Sequence, residues 1–292
     1  MKWAIIADSS CNIREFEPTA PSTIYRLAPL KISVGDQEFI DDASLDVAAM
    51  NRTAAESEEA SSSSCPNAGE WADLFRQADN VIAIAISSNL SASYETALMG
   101  RNIVMDEYAR EHDGVISGKN IFVLDSKAAG GKLDLMVELL DRFIATQDPT
   151  FEEAVRYLKL VEGASNVLYS LSSYGNLVKS GRMPKLVGKV ASGLKIRVLG
   201  KASPQGTIKI VGTTRGEKGT VKRIVETMAE FGYNGGLAYI NDVDNPKGAE
   251  KVEAGILAKW PRAVVRRIPC GGLCSYYAEE SGLIIGFEWL TA

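Results

Sequence analysis

A single histidine in 292 residues removes several mechanisms at once. An imidazole-activated serine or cysteine needs that base beside it. His112 instead stands in Tyr108-Ala109-Arg110-Glu111-His112-Asp113, the polar end of a helical stretch and far in sequence from any candidate nucleophile. A cation suits that end of a helix dipole, so a surface role is expected. No GxSxG elbow is present either. The four cysteines, Cys11, Cys65, Cys270 and Cys274, contain no CxxC pair, and with one histidine they offer no zinc spacing, so no metal is expected. Long apolar runs are missing too. Met1–Asp8 is strand-sized, too short for a signal core or a membrane span, and no later segment approaches ~18 uninterrupted apolar residues. A cytoplasmic chain with reduced thiols is the expectation. There is no basic surplus: a net charge of −5 and a pI near 5.2 argue against a general nucleic-acid binder. Nor does GxxxxGK[ST] or GxGxxG follow any strand, and Gly130-Gly131-Lys132 is too short to cradle a polyphosphate. No cofactor is expected.

What the chain does have is length for two domains and an alternation of short apolar runs with amphipathic stretches, the pattern of sheets covered by helices. Strands are predicted at Trp3–Ala7, Ala28–Val34, Glu38–Ile40, Val81–Ile86 and Ile121–Leu124, with a turn at Gly35-Asp36. Helices are predicted at Asp46–Ser57, Glu70–Ala78, Tyr94–Glu111 and Leu133–Thr146. Glu56–Ser64 is Ser/Glu-rich and reads as a loop. Pro149 ends one helix, and Thr150 with Glu153 makes a capping box for the next. The division therefore falls at 1–148 and 149–292. Strands follow at Val167–Leu171, Ile196–Leu199, Thr207–Val211, Leu237–Ile240, Val264–Ile268 and Leu283–Phe287, with helices at Lys218–Glu230 and Lys247–Lys259. A hairpin turn at Ala202–Gly206 makes this second sheet mixed. The expected fold is two tandem α/β domains, the first with a mainly parallel sheet and the second with a mixed one.

The strands of the first half run into hydroxyl-bearing loops: Asp8-Ser9-Ser10, Ser87-Ser88-Asn89-Leu90-Ser91 and Asp125-Ser126-Lys127. In an open parallel sheet these emerge together at the carboxyl edge, where ligands bind. Serine hydroxyls and free helix N–H groups there suit an anion; plain helix capping explains the same residues. Asp8 and Asp125 weigh against a polyphosphate, and a singly charged carboxylate fits better. Asp41-Asp42 reads as surface. Arg182, after Ser180-Gly181, is able to extend towards an anion, where its planar fork suits a carboxylate or phosphate. Lys179, Lys185 and Lys189 lie near it, and Arg215, Lys218, Lys222 and Arg223 form a second basic group, either a docking surface or a solvated face.

In order and spacing these segments resemble the DegV family of bacterial fatty-acid-binding proteins along the whole chain. Asp8-Ser9-Ser10 is similar to its Asp-Ser-Ser/Thr motif, and Ser63-Ser64-Cys65-Pro66 to its Thr-Ser-x-Pro motif. Ser87-Ser88-Asn89-Leu90-Ser91-Ala92-Ser93-Tyr94 is similar to its Ser-x-x-Leu-Ser-Gly-Thr-Tyr motif. Asp125-Ser126 and Ser180-Gly181-Arg182 are similar to its Asp-Ser and Gly-Gly-Arg segments. The resemblance implies a lipid carrier rather than an enzyme. The acyl chain would be buried inside the first domain, with its carboxylate at the interdomain mouth. It implies that Ser63 and Ser91 hold the carboxylate, that Ser9, Ser64, Ser88 and Asn89 belong to the same motifs, and that Arg182 faces them. It also implies a separate fatty acid kinase as partner. The alternative is an enzyme acting on a small carboxylic acid or acyl phosphate at the same site. Where the family carries His-x-Gly-Pro-Gly, this chain has Pro269-Cys270-Gly271-Gly272-Leu273, a departure that bears on the kinase more than on the lipid.

Overall fold

The computed structural model describes residues 1–183 and 196–290. Lys185 and Lys189 fall outside them. The first half forms β1 (Trp3–Asp8), β2 (Thr23–Ala28), β3 (Lys31–Val34), β4 (Gln37–Ile40), α1 (Val47–Glu56), β5 (Ser61–Ser64), α2 (Ala68–Phe75), β6 (Asn80–Ala85), α3 (Ser93–Glu111), β7 (Asn120–Asp125) and α4 (Gly131–Gln147). The second half forms α5 (Phe151–Gly163), β8 (Ser165–Leu171), α6 (Gly175–Lys179), β9 (Ile196–Ala202), β10 (Ile208–Arg215), α7 (Gly216–Glu230), β11 (Leu237–Asp242), α8 (Pro246–Lys259), β12 (Val264–Pro269), α9 (Gly272–Ala278) and β13 (Leu283–Glu288).

The first sheet is parallel throughout, in the order β2-β1-β6-β7. Its central strands, Trp-Ala-Ile-Ile-Ala-Asp and Asn-Val-Ile-Ala-Ile-Ala, are buried at every residue. That is why they read as continuous apolar runs rather than alternating ones. The strand order reverses between β1 and β6, which opens a crevice at their carboxyl ends. The second sheet, β10-β9-β8-β13-β11-β12, is antiparallel except for β11 beside β12. The capping box at Thr150 and Glu153 opens α5 as its sequence predicts.

Helix α4 lies between the two sheets, touching β1 and β6 of one and β8, β11 and β13 of the other. It approaches β13 so closely that a Cβ on either Gly131 or Gly286 would collide with the opposing backbone. Three inward acids pin it in place. Asp134 accepts from the Asn12 amide and from Asn241 Nδ2, each at 2.7 Å. Glu138 accepts from Tyr239 Oη at 2.5 Å and pairs with Arg266 at 3.2 Å. Asp141 accepts from the Thr19 amide and hydroxyl and from the Ala20 amide.

Two first-half expectations need correction. Ala28–Val34 is not one strand. Pro29 has no N–H to give a ladder, so the parallel strand β2 ends at Ala28 and the antiparallel β3 begins at Lys31. The four-serine run inside the expected loop is strand β5, because β3 supplies a partner ladder from Lys31↔Ser64 to Val34↔Ser61. With β4 on the other side of β3, it makes a small third sheet. Among the described residues no helix is long and apolar enough to cross a membrane.

Candidate functional site

A cavity of about 580 Å3, its mouth included, lies between the carboxyl-edge loops of the first sheet and the inner face of the second. Leu30, Ile86 and Leu273 form one side of its hydrocarbon wall, and Leu171, Ile208 and Ile284 another. The walls thus come from both halves of the chain, not from inside the first half alone. The β9–β10 hairpin closes against the first sheet: Asn89 Nδ2 donates to Gln205 O at 2.6 Å, and Gly206 packs on Ser87 and Lys127 with φ of 81°.

One part of this apolar wall is polar. Strand β5 alternates, so Ser61 and Ser63 are partly buried while Ser62 and Ser64 are exposed. The two partly buried hydroxyls meet a pair of tyrosines on α9. Ser61 Oγ lies 2.7 Å from Tyr276 Oη, and Ser63 Oγ lies 2.8 Å from Tyr277 Oη. Arg182 joins from the opposite side. Its Nη1 donates to Tyr277 Oη at 2.8 Å, its Nε donates to Leu90 O at 2.7 Å, and its guanidinium carbon sits 4.9 Å from the centre of the Tyr277 ring. Ser91, next in sequence to that anchoring carbonyl, lines the same cavity. Nη2 of Arg182 makes no hydrogen bond among the described residues and keeps two donors for an anion.

Helix α9 is held by a buried carboxylate. Asp41 Oδ1 accepts from the Gly272 amide at 2.7 Å and Oδ2 from the Leu273 amide at 2.8 Å. The expected surface position is therefore wrong for Asp41, which is only 1% exposed and satisfies helix donors that would otherwise be orphaned. Burial pushes its carboxyl above the ordinary range, and the two amide bonds oppose that rise.

Of the residues singled out by sequence, the structure brings Ser63, Ser91 and Arg182 to the cavity. Ser9, Ser64, Ser88 and Asn89 do not line it. Ser9 Oγ accepts from the Leu30 amide at 2.9 Å, and Ser88 Oγ donates to Asp125 at 2.6 Å. Asp8 ties together the loops after β1 and β6 by accepting from Ser10, the Ile86 amide and Ser93 Oγ. Lys222 and Arg223 pair with Glu226 and Glu230 along their own helix, the pattern of a solvated face. His112 stacks on Tyr108 at an exposed helix end. Tyr277 was missed by sequence reasoning. Its signal was the spacing of Leu273 and Tyr277, which places both on one face of any helix after Gly271-Gly272. Cys274 also lines the cavity, but burial pushes its thiol well above 9.0 and keeps it protonated, a poor nucleophile.

Comparison with known proteins agrees along the whole chain. The family model described as uncharacterised protein, DegV family, matches residues 2–287. A DegV domain-containing protein of Streptococcus pneumoniae is 37% identical over 288 residues, covering 99% of each chain. Among solved structures, the Streptococcus pneumoniae fatty acid kinase (Fak) B3 protein loaded with linoleic acid is 37% identical, with a TM-score of 0.93 over 99% of this chain and 100% of that one. A DegV family protein from Eubacterium eligens loaded with heptadecanoic acid is 30% identical, with a TM-score of 0.89 over 98% and 99%.

Proposed function

The chain belongs to the DegV family, and on that premise we propose that it is a carrier for a long-chain fatty acid rather than an enzyme. The tail occupies the hydrocarbon cavity, and the carboxylate lies at the polar part of the wall among Ser63, Ser91, Arg182 and Tyr277. The observation that carries this reading is the cavity's division: apolar wall nearly throughout, with hydroxyls and a guanidinium gathered at one place. A carboxylate there replaces the Ser63–Tyr277 hydrogen bond with charge-assisted ones, which are roughly twice as strong. Relatives with the same fold hold linoleic and heptadecanoic acids. In this reading residues 1–148 supply the first sheet and the β5 wall, and residues 149–292 supply Arg182, Tyr277 and the opposing sheet.

The same reading gives the carrier a kinase partner, following the similarity to a fatty acid kinase B3 protein. The partner would bring the nucleotide and transfer its terminal phosphoryl group to the bound carboxylate. Arg182 suits that step, because an acyl phosphate adds charge and acceptor oxygens for its planar guanidinium fork. Native mass spectrometry of the purified protein tests the reading. A bound adduct with the mass of a long-chain acid is expected. A protein that stays empty after incubation with palmitate would overturn it.

A further inference from the structure

We propose that Tyr169 selects for an acyl chain bearing an oxygen acceptor part-way along its length, the class of oxo fatty acids. The inference rests on the fatty-acid reading above and adds a property of the ligand that the reading leaves open.

Tyr169 stands on β8, and its side chain forms part of the cavity wall beside Leu171, Ile208 and Ile284. The residue is 6% exposed, and its hydroxyl is buried without a hydrogen-bond acceptor among the described residues. The Ala129 amide N–H and the Cys274 thiol both act on it, and both residues line the same cavity. The amide is a donor and competes only for the phenol's lone pairs. The thiol, held protonated by burial, is a weak acceptor. Among the described residues the phenol proton has no acceptor.

Other buried tyrosines are built differently. Tyr25 donates to Ile13 O at 2.6 Å, Tyr233 donates to Gly236 O at 2.7 Å, and Tyr239 donates to Glu138 at 2.5 Å. A phenylalanine would present the same ring to the cavity as Tyr169 without burying an unpaired donor. The extra oxygen therefore makes physical sense if the cavity's occupant supplies the acceptor. A saturated chain leaves the donor unpaired. The π face of a double bond accepts weakly. A carbonyl accepts fully and brings no new donor that would itself need a partner. A water molecule would find few other partners against this hydrocarbon wall, whereas buried waters typically make about three hydrogen bonds.

The test is Tyr169→Phe, which removes one oxygen and keeps the ring, so folding is expected to be intact. Dissociation constants for stearate, oleate and a positional series of mid-chain oxostearates are measured for both proteins by titration calorimetry. Wild type should favour one oxostearate over stearate, and the variant should lose about tenfold of that preference, the worth of one hydrogen bond of ~1.4 kcal/mol. Stearate itself should bind the variant at least as tightly. Equal oxostearate-to-stearate ratios in the two proteins across the series would overturn the inference. So would a preference for oleate that matches or exceeds the oxostearate effect, since the acceptor would then be the double bond. Failure of wild type to bind stearate at all would instead overturn the fatty-acid reading, and this inference with it.

Discussion

Two regions of the molecule carry nearly the same residue types and use them in opposite ways. At the carboxyl edge of the first sheet, Asp8, Ser9, Ser88 and Asn89 all commit their polar atoms to other parts of the fold. Where β5 faces α9, Ser63 pairs with another hydroxyl, and Arg182 donates to that same hydroxyl while its Nη2 makes no hydrogen bond among the described residues. A hydroxyl bound to a buried carboxylate is costly to reassign. A hydroxyl bound to a hydroxyl can turn towards a stronger acceptor at little cost, because each is both donor and acceptor. Polar residues clustered at a sheet edge therefore do not by themselves mark a binding position; in the proposed reading, unspent donor capacity beside an apolar cavity does.

The sharpest way to break this comparison is to remove one member of the committed set. Asp8→Ala leaves the Ile86 amide, the Ser10 amide and hydroxyl and the Ser93 hydroxyl without their acceptor in a buried place. It should cost about 3 kcal/mol or more of stability in urea denaturation. A loss below ~1 kcal/mol would show that these loops are not the lock described here. At the second region the effect should appear in binding. Ser63→Ala and Tyr277→Phe should each weaken fatty-acid affinity about tenfold with little change in the unfolding midpoint. In the same titration Ser88→Ala should leave affinity unchanged. If Ser88→Ala weakens binding as much as Ser63→Ala does, the two regions do not differ in the way proposed.

A smaller effect concerns the anchor of α9. Burial holds the folded pKa of Asp41 above its ordinary 3.8, so the native state binds this proton more tightly than the unfolded chain does. Its contribution to stability is complete below about 3.8 and is lost as pH rises through the raised folded value. Stability of wild type relative to Asp41→Asn should accordingly fall with rising pH across that window, measured by guanidinium unfolding at a series of pH values. An advantage that grows with pH would mean that the amide bonds from Gly272 and Leu273 outweigh burial.

How much of this was legible in the sequence follows from how local each signal is. Buried parallel strands announce themselves as apolar runs, and the box at Thr150–Glu153 is written in four residues. Motif order was enough to name Ser63, Ser91 and Arg182. The Ser61–Ser64 strand was hidden because serine has poor strand propensity and β3, some thirty residues earlier, supplies the ladder. Tyr277 was hidden for a similar reason. Its partners are Ser63 and Arg182, 214 and 95 residues away, and α9 is a short helix whose start depends on Asp41. The serines that looked most like a site were those with the nearest structural partners, such as Ser10 on Asp8. Sequence shows the residue type and its place on an edge, but not whether the hydroxyl is already spent.

The central claim, that the apolar cavity holds a long acyl tail, is tested most directly by titrating the protein with palmitate and with butyrate. The two acids share a head group and differ by ~12 methylenes, which at ~0.8 kcal/mol each come to ~10 kcal/mol before ordering costs. Palmitate should bind more tightly than butyrate by several orders of magnitude. Comparable dissociation constants for the two would contradict the account, because the carboxylate corner would then supply the affinity and the cavity would not.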